Sequence, residues 1–116
     1  MKPKRVRRER TKGWRMPQGA VYVGHPTRFG NPFDWRQCGR RKAVALFRRL
    51  VGGRMSCVEM HRRFGGLVAT IALCSARMWI RQHLADLRGK DLCCWCPLDA
   101  PCHADVLLKL ANEEAE

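Results

Sequence analysis

The residues predict an α/β domain that is small and three-layer-like, with a short, mostly parallel sheet and flanking helices. Three observations lead there. The chain has 116 residues, 46% of them hydrophobic, which suits one compact core and leaves little room for a second. Two short apolar runs, 20–24 and 91–96, read as buried strands and stand far apart in the chain. The long segment between them, and the segment after the second, carry helical periodicity. Strand, helices, strand, helix is the order of a parallel arrangement.

Each element has its own warrant. Ala20-Val21-Tyr22-Val23 is β-branched and aromatic, and Gly24 ends it at a turn. The following stretch, His25 to Phe33, holds two prolines, two bounding glycines and an Asn-Pro step, so it is a structured loop. Val44, Phe47, Leu50 and Val51 recur at helical spacing among arginines, which predicts an amphipathic helix over 40–51, stopped by Gly52-Gly53. Ser56 and Glu59 have the spacing of a capping box and start a second helix. After Gly65-Gly66 a further helix runs to about Leu87, although its apolar first part, 67–74, fits a strand equally well. Arg88-Gly89-Lys90 is a turn. Val106, Leu107, Leu110 and Ala111 share one face of a last helix over 102–112, with Asn112 placed to cap its end. The organisation is a basic arm over 1–19, with room for an edge strand near Val6, one domain over 20–112, and an acidic tail over 113–116.

The charge is +13 and uneven. Eight of the first fifteen residues are Lys or Arg against Glu9 alone, a local charge of +7. Such an arm attracts polyanions in a salt-sensitive way, so nonspecific nucleic-acid contact through it is expected. No helix-turn-helix, zinc-finger or stacking-aromatic pattern accompanies the charge. No apolar run approaches the roughly 18 residues that span a bilayer, and no apolar stretch follows the basic start. The expected setting is therefore the cytoplasm, with no membrane partner. The sequence implies no oligomeric state.

Seven cysteines in a reducing compartment stay free, bind metal or do chemistry. Cys38, Cys57 and Cys74 are scattered and read as small buried hydrophobes. Cys93, Cys94, Cys96 and Cys102 cluster beside His103, and three readings compete for them. Cys94, Cys96, Cys102 and His103 form an S₃N set suited to zinc, although C-x-C with an adjacent Cys-His is an unusual spacing. Alternatively, Cys102 and His103 open the last helix, whose dipole favours an anion and lowers a thiol pKa. His103 would then serve as acid or base, with Asp105 orienting it and Cys102 beside it as the catalytic group. In the third reading the thiols are core, because strand residues alternate faces and Cys94 and Cys96 share one side.

The loop 24–33 follows the first strand as the segment 96–103 follows the second. In open parallel sheets, ligands bind outside the carboxyl ends of strands. Parallel neighbours would therefore bring His25, Arg28, Asn31, Cys102, His103 and Asp105 to one crevice. Gly24 and Gly30 permit close approach there, and Thr27 and Arg28 are phosphate-compatible donors. Pro26, Pro32, Phe29 and Phe33 equally suit a rigid turn anchored in the core. Arg88 and Lys90 fall at the opposite end.

These motifs together, Gly30-Asn31-Pro32-Phe33, Leu87-Arg88-Gly89-Lys90, Cys94-Trp95-Cys96 and Cys102-His103-Ala104-Asp105-Val106-Leu107, resemble the family known as domain of unknown function 4326. The resemblance spans about residues 20–112. His25 stands where the family pattern has Arg, and 52–80 is longer than its usual span. The resemblance implies a compact α/β domain with a ligand site built from those motifs and no assigned reaction. Members are frequent in phage genomes, which implies a phage origin and a host-cell cytoplasmic setting. The expected function is binding of a nucleotide- or nucleoside-like ligand at Gly24, His25, Thr27, Arg28, Gly30 and Asn31. Hydrolysis or transfer at a glycosidic or phosphate centre would fall to His103, Asp105 and Cys102. The alternative is a zinc-stabilised basic module that binds nucleic acid or a host protein.

Overall fold

The computed structural model describes residues 2–113. The acidic tail beyond Glu113 lies outside the described residues. Strands β1 (Arg5–Arg7), β2 (Val21–Tyr22) and β3 (Leu92–Cys94) form one parallel sheet in the order β1-β3-β2. Arg5 is level with Leu92, Val6 with Cys93 and Arg7 with Cys94; Val21 and Tyr22 align with Leu92 and Cys93. The edge strand near Val6 is thus present, and the two expected strands are parallel neighbours. Only β3 is buried throughout, as its Leu-Cys-Cys sequence and central position require.

Between β2 and β3 lie α1 (Trp35–Cys38), α2 (Arg40–Val51), α3 (Cys57–Phe64), α4 (Gly66–His83) and a 3₁₀ turn, Leu84–Leu87. Helix α5 (His103–Asn112) ends the fold. Helix α2 has the expected bounds, because its apolar stripe is continuous and buried from Ala43 to Val51. Ser56 caps α3 through Oγ, which accepts from the Glu59 amide at 3.1 Å. The reciprocal half of a capping box is not made. The Glu59 carboxylate instead accepts from Arg49 at 2.6 Å and Arg63 at 2.8 Å. The ambiguous stretch 67–74 is helical. Arg77 and Arg81 of α4 donate to the carbonyls of Met55 and Val51, each at 2.6 Å, and tie α4 to the end of α2.

The core has two parts. One gathers Val23, Phe47, Ile80, Leu92, Cys94 and Leu107 between the sheet and helices α2, α4 and α5. The other gathers Leu46, Leu50, Met55, Met60 and Leu73 between α2, α3 and α4. The expected burial of the scattered cysteines needs correction. Cys57 is exposed and Cys38 and Cys74 are half-buried, because Cys57 opens the first turn of α3 towards solvent. No helix among the described residues is long and apolar enough to cross a membrane.

Candidate metal centre and sheet edge

Successive strand residues point to opposite faces. The register therefore puts Arg5, Leu92, Cys94 and Val23 on the face that carries α5, and Val6, Arg8, Tyr22, Cys93 and Trp95 on the other. Each face carries a distinct chemistry.

On the helical face the thiols of Cys94, Cys96 and Cys102 converge, their sulfurs all within 4.8 Å of one another. Cys94 Sγ and Cys102 Sγ are 3.1 Å apart, and all seven cysteines are free. Chain geometry explains the convergence. Cys94 and Cys96 lie two residues apart at the end of β3, and the loop 97–101 returns Cys102 to them as the cap of α5. Its sulfur accepts from the Ala104 amide at 3.5 Å. Arg5 holds that loop closed. Its guanidinium donates to the carbonyls of Pro97 (3.3 Å), Leu98 (2.9 Å) and Ala100 (2.8 Å), and its Nε meets Asp105 at 3.1 Å. The Arg5 side chain is only 8% exposed, a burial that such complete pairing makes tolerable. Arg40 Nη1 lies 3.2 Å from Cys96 Sγ.

The thiols differ in acidity, and the expected lowering at the helix start does not fall on Cys102. Hydrogen bonding with Cys94 and then Cys96, together with burial, pushes the Cys102 thiol up. Thiolate character passes to Cys96, which is drawn far below the ordinary thiol range by the Cys102 and Cys94 thiols and by Arg40. Burial raises the Cys93 thiol on the opposite face.

His103 stands beside this cluster. Its Nε2 lies 2.8 Å from the Val23 carbonyl, a bond that requires the Nε2–H tautomer and leaves Nδ1 as the nitrogen with a free lone pair. Nδ1 faces Cys102 Sγ at 3.6 Å. The ring is buried edge-on to Phe47, and burial lowers its pKa against the Val23 bond, which raises it. A tetrahedral site with bonds near 2.3 Å to sulfur and 2.0–2.1 Å to nitrogen separates S from N by about 3.6 Å and S from S by about 3.8 Å. The His103–Cys102 spacing matches that separation, and the Cys94–Cys102 pair would open by about 0.7 Å. Among the described residues, however, the ligand atoms within 4.8 Å of one another are those of Cys94, Cys96 and Cys102, so the expected fourth ligand, His103, is not drawn into the set. The cluster Cys94, Cys96 and Cys102 can hold a metal ion.

The loop 24–33 is held by its own contacts. Tyr22 Oη donates to the carbonyl of His25 at 2.6 Å, and Thr27 Oγ1 donates to that of Gly24, also at 2.6 Å. Asn31 Nδ2 donates to Ala43 in α2 at 3.0 Å, and its Oδ1 accepts from Phe33 N at 2.9 Å. A Cβ at Gly24 would lie 2.6 Å from Tyr22 Oη, and one at Gly30 2.9 Å from His25 Nδ1. The close approaches these glycines permit are thus to Tyr22 at the end of β2 and to His25 within the loop. Arg28 lies over the Trp79 ring at 4.7 Å, on the α4 side, while Asp105 turns to Arg5 on the β1 side. Val23 and His103 meet, whereas Arg28 and Asp105 diverge. Arg88 donates to Ala111 at the far end of α5, as its place before β3 implied.

On the other face lies what sequence reasoning missed. Arg8 is stacked between Tyr22 (4.6 Å) and Trp95 (5.0 Å), and Arg10 also lies 5.0 Å from the Trp95 ring. Arg8, Arg10 and Trp95, with Glu9, Trp14 and Met16, surround a groove of about 440 Å³. Aromatic residues do accompany the basic arm. They escaped notice because Trp95 lies some eighty residues from Trp14 in sequence and only the β1–β3 pairing unites them.

The fold and thiol cluster together define a small parallel α/β domain with a cysteine-rich centre at the carboxyl edge of its sheet. The chain belongs to the family described as domain of unknown function (DUF4326), which matches residues 6–113. No curated protein and no solved structure matches it.

Proposed function

We propose that this chain is a zinc-stabilised basic module that binds nucleic acid. The observation that carries the reading is the position of the basic segment. It is built into the sheet as β1, directly over the thiol cluster, with Arg5 clamping the cysteine loop while Arg8 and Arg10 continue past the sheet edge. Three thiols and an imidazole suit zinc by donor softness and number. His103 stands beside the three thiols, with Nδ1 3.6 Å from Cys102 Sγ, and would serve as fourth ligand after a shift of its ring towards Cys94 and Cys96. A ligating histidine ordinarily gives its second ring N–H to a carbonyl or carboxylate, as His103 gives Nε2–H to Val23. Zinc bound there would cross-link β3, the loop after it and α5.

A nucleotide-handling enzyme centred on His103, Asp105 and Cys102 is the weaker reading. His103 is buried with Nε2 engaged, Asp105 is paired with Arg5, and both ends of the Asn31 amide are occupied within the fold.

Native mass spectrometry of the reduced protein tests the first part; the expected result is one zinc per chain. Chelation should lower the melting temperature by roughly 10 °C or more. For a single-stranded oligonucleotide, four phosphate contacts predict an affinity loss of roughly 50-fold between 50 and 200 mM salt. A metal-free protein whose melting ignores chelator, or one with no salt-dependent binding, would refute the respective half.

A further inference from the structure

The nucleic-acid reading leaves open what the domain grips, and the sheet face opposite α5 offers an answer. In parallel sheets the space beyond the carboxyl ends of the strands collects ligands, because loops diverge there and backbone groups are unspent. Two strands contribute at that end, since Arg8 and Arg10 follow β1 and Trp95 follows β3, while Tyr22 at the end of β2 backs Arg8. The result is a groove of about 440 Å³ lined by Arg8, Glu9, Arg10, Trp14, Met16 and Trp95. Its size lies within the range of small-molecule sites.

The chemistry of the lining is selective. Trp95 is 39% exposed and Met16 42% exposed, an apolar surface that the fold leaves uncovered. Two guanidinium groups lie against the Trp95 ring, and Arg8 is held between Trp95 and Tyr22. Planar cations and an indole stacked in series continue readily onto another flat, electron-rich ring. The two arginines outweigh Glu9, so the groove carries a net positive charge suited to a phosphate beside that ring. A ring attached to a phosphate is a nucleotide. Its flat face is free only where the base is unpaired, because a duplex buries it in the stack.

We propose that this groove binds an unpaired nucleobase with its phosphate, presented by single-stranded nucleic acid. The proposal rests on the nucleic-acid reading above and adds the site and the strandedness. Stacking on Trp95 and Trp14 supplies an affinity that does not depend on salt, and Arg8 and Arg10 supply the salt-dependent remainder. Base identity matters little, since every base presents a π-face.

Fluorescence anisotropy of the full, metal-loaded chain tests this with three probes: a labelled twelve-nucleotide single strand, the corresponding duplex, and a mononucleotide as competitor. The single strand should bind most tightly. Trp95→Ala should weaken it by about 5- to 150-fold without changing the salt slope, and Trp95→Phe should restore most of the loss. Arg10→Ala should reduce the slope by about 0.7. Trp95 and Arg10 are exposed, so both variants should melt as the parent does. Equal or tighter binding of the duplex, or indifference to Trp95→Ala, overturns the groove while leaving salt-dependent nucleic-acid binding intact. A mononucleotide that competes at the strand's own affinity overturns the strand as the source. If no oligonucleotide binds at any salt, the nucleic-acid reading falls with it.

Discussion

The contacts of His103 give it a part in the fold. Its imidazole is buried between Phe47, Cys102 and the Val23 carbonyl, and the Nε2 bond to Val23 joins α5 to the end of β2. His103→Ala would leave that carbonyl unpaired, which costs about 1–3 kcal/mol, and would open a cavity besides. A loss of roughly 2–4 kcal/mol in urea denaturation is expected. A variant as stable as the parent would mean that the ring is not the strut described. Asn31 is the parallel case in the other loop. Asn31→Asp keeps the acceptor for Phe33 N and loses the donor to Ala43, so it should destabilise by about 1–3 kcal/mol in the same assay.

Among the elements, α3 depends on charge more than its neighbours do. Only Met60 is buried in it, packed with Leu46 and Leu50 of α2, and the polar link to α2 is the Arg49–Glu59 pair, which Arg63 of α3 joins. Hydrogen bonds from Arg49, then Arg63, lower the Glu59 pKa to about 2. A depressed carboxylate stabilises the fold above its unfolded value, about 4.3, and that contribution fades as pH falls through the folded value. The urea midpoint should therefore decline between about pH 4.5 and pH 2 more steeply for the parent than for Glu59→Gln. Identical pH profiles would show the triad to be thermodynamically idle, as exposed ion pairs often are. The same elements show what could be read in advance. The stripe Val44, Phe47, Leu50 and Val51 repeats every three to four residues, so α2 announced itself locally. The run 67–74 did not, because a short apolar stretch satisfies a strand and a buried helix alike. The chain Cys94-Trp95-Cys96 … Cys102-His103 identified the thiol centre by proximity in sequence. The Arg8–Trp95 stack had no such signal, since its members meet only through strand pairing.

For the whole molecule, the decisive feature is that the basic segment is both surface and structure. Residues 1–19 read naturally as an arm, since Arg5-Val6-Arg7 has a single apolar residue. Yet β1 covers one side of β3, with Leu92 N donating to Lys4 O at 3.0 Å and Arg8 N to Cys94 O at 2.7 Å. Arg5 also closes the cysteine loop from there. Without β1 the buried central strand becomes an edge, and a two-stranded remnant is marginal in water. A chain beginning at Thr11 should therefore lose its cooperative thermal transition, or melt roughly 15 °C or more below the parent, as followed by circular dichroism. On the proposed zinc reading, it should also hold the added metal poorly. A dispensable arm would behave otherwise: the truncated chain would melt with the parent, keep its metal, and lose only affinity for polyanions. Arg5→Lys separates the clamp from the strand. It preserves β1 and the charge but not the fork that reaches three carbonyls and Asp105, so it should weaken metal retention while nucleic-acid affinity at the Arg8–Trp95 groove persists.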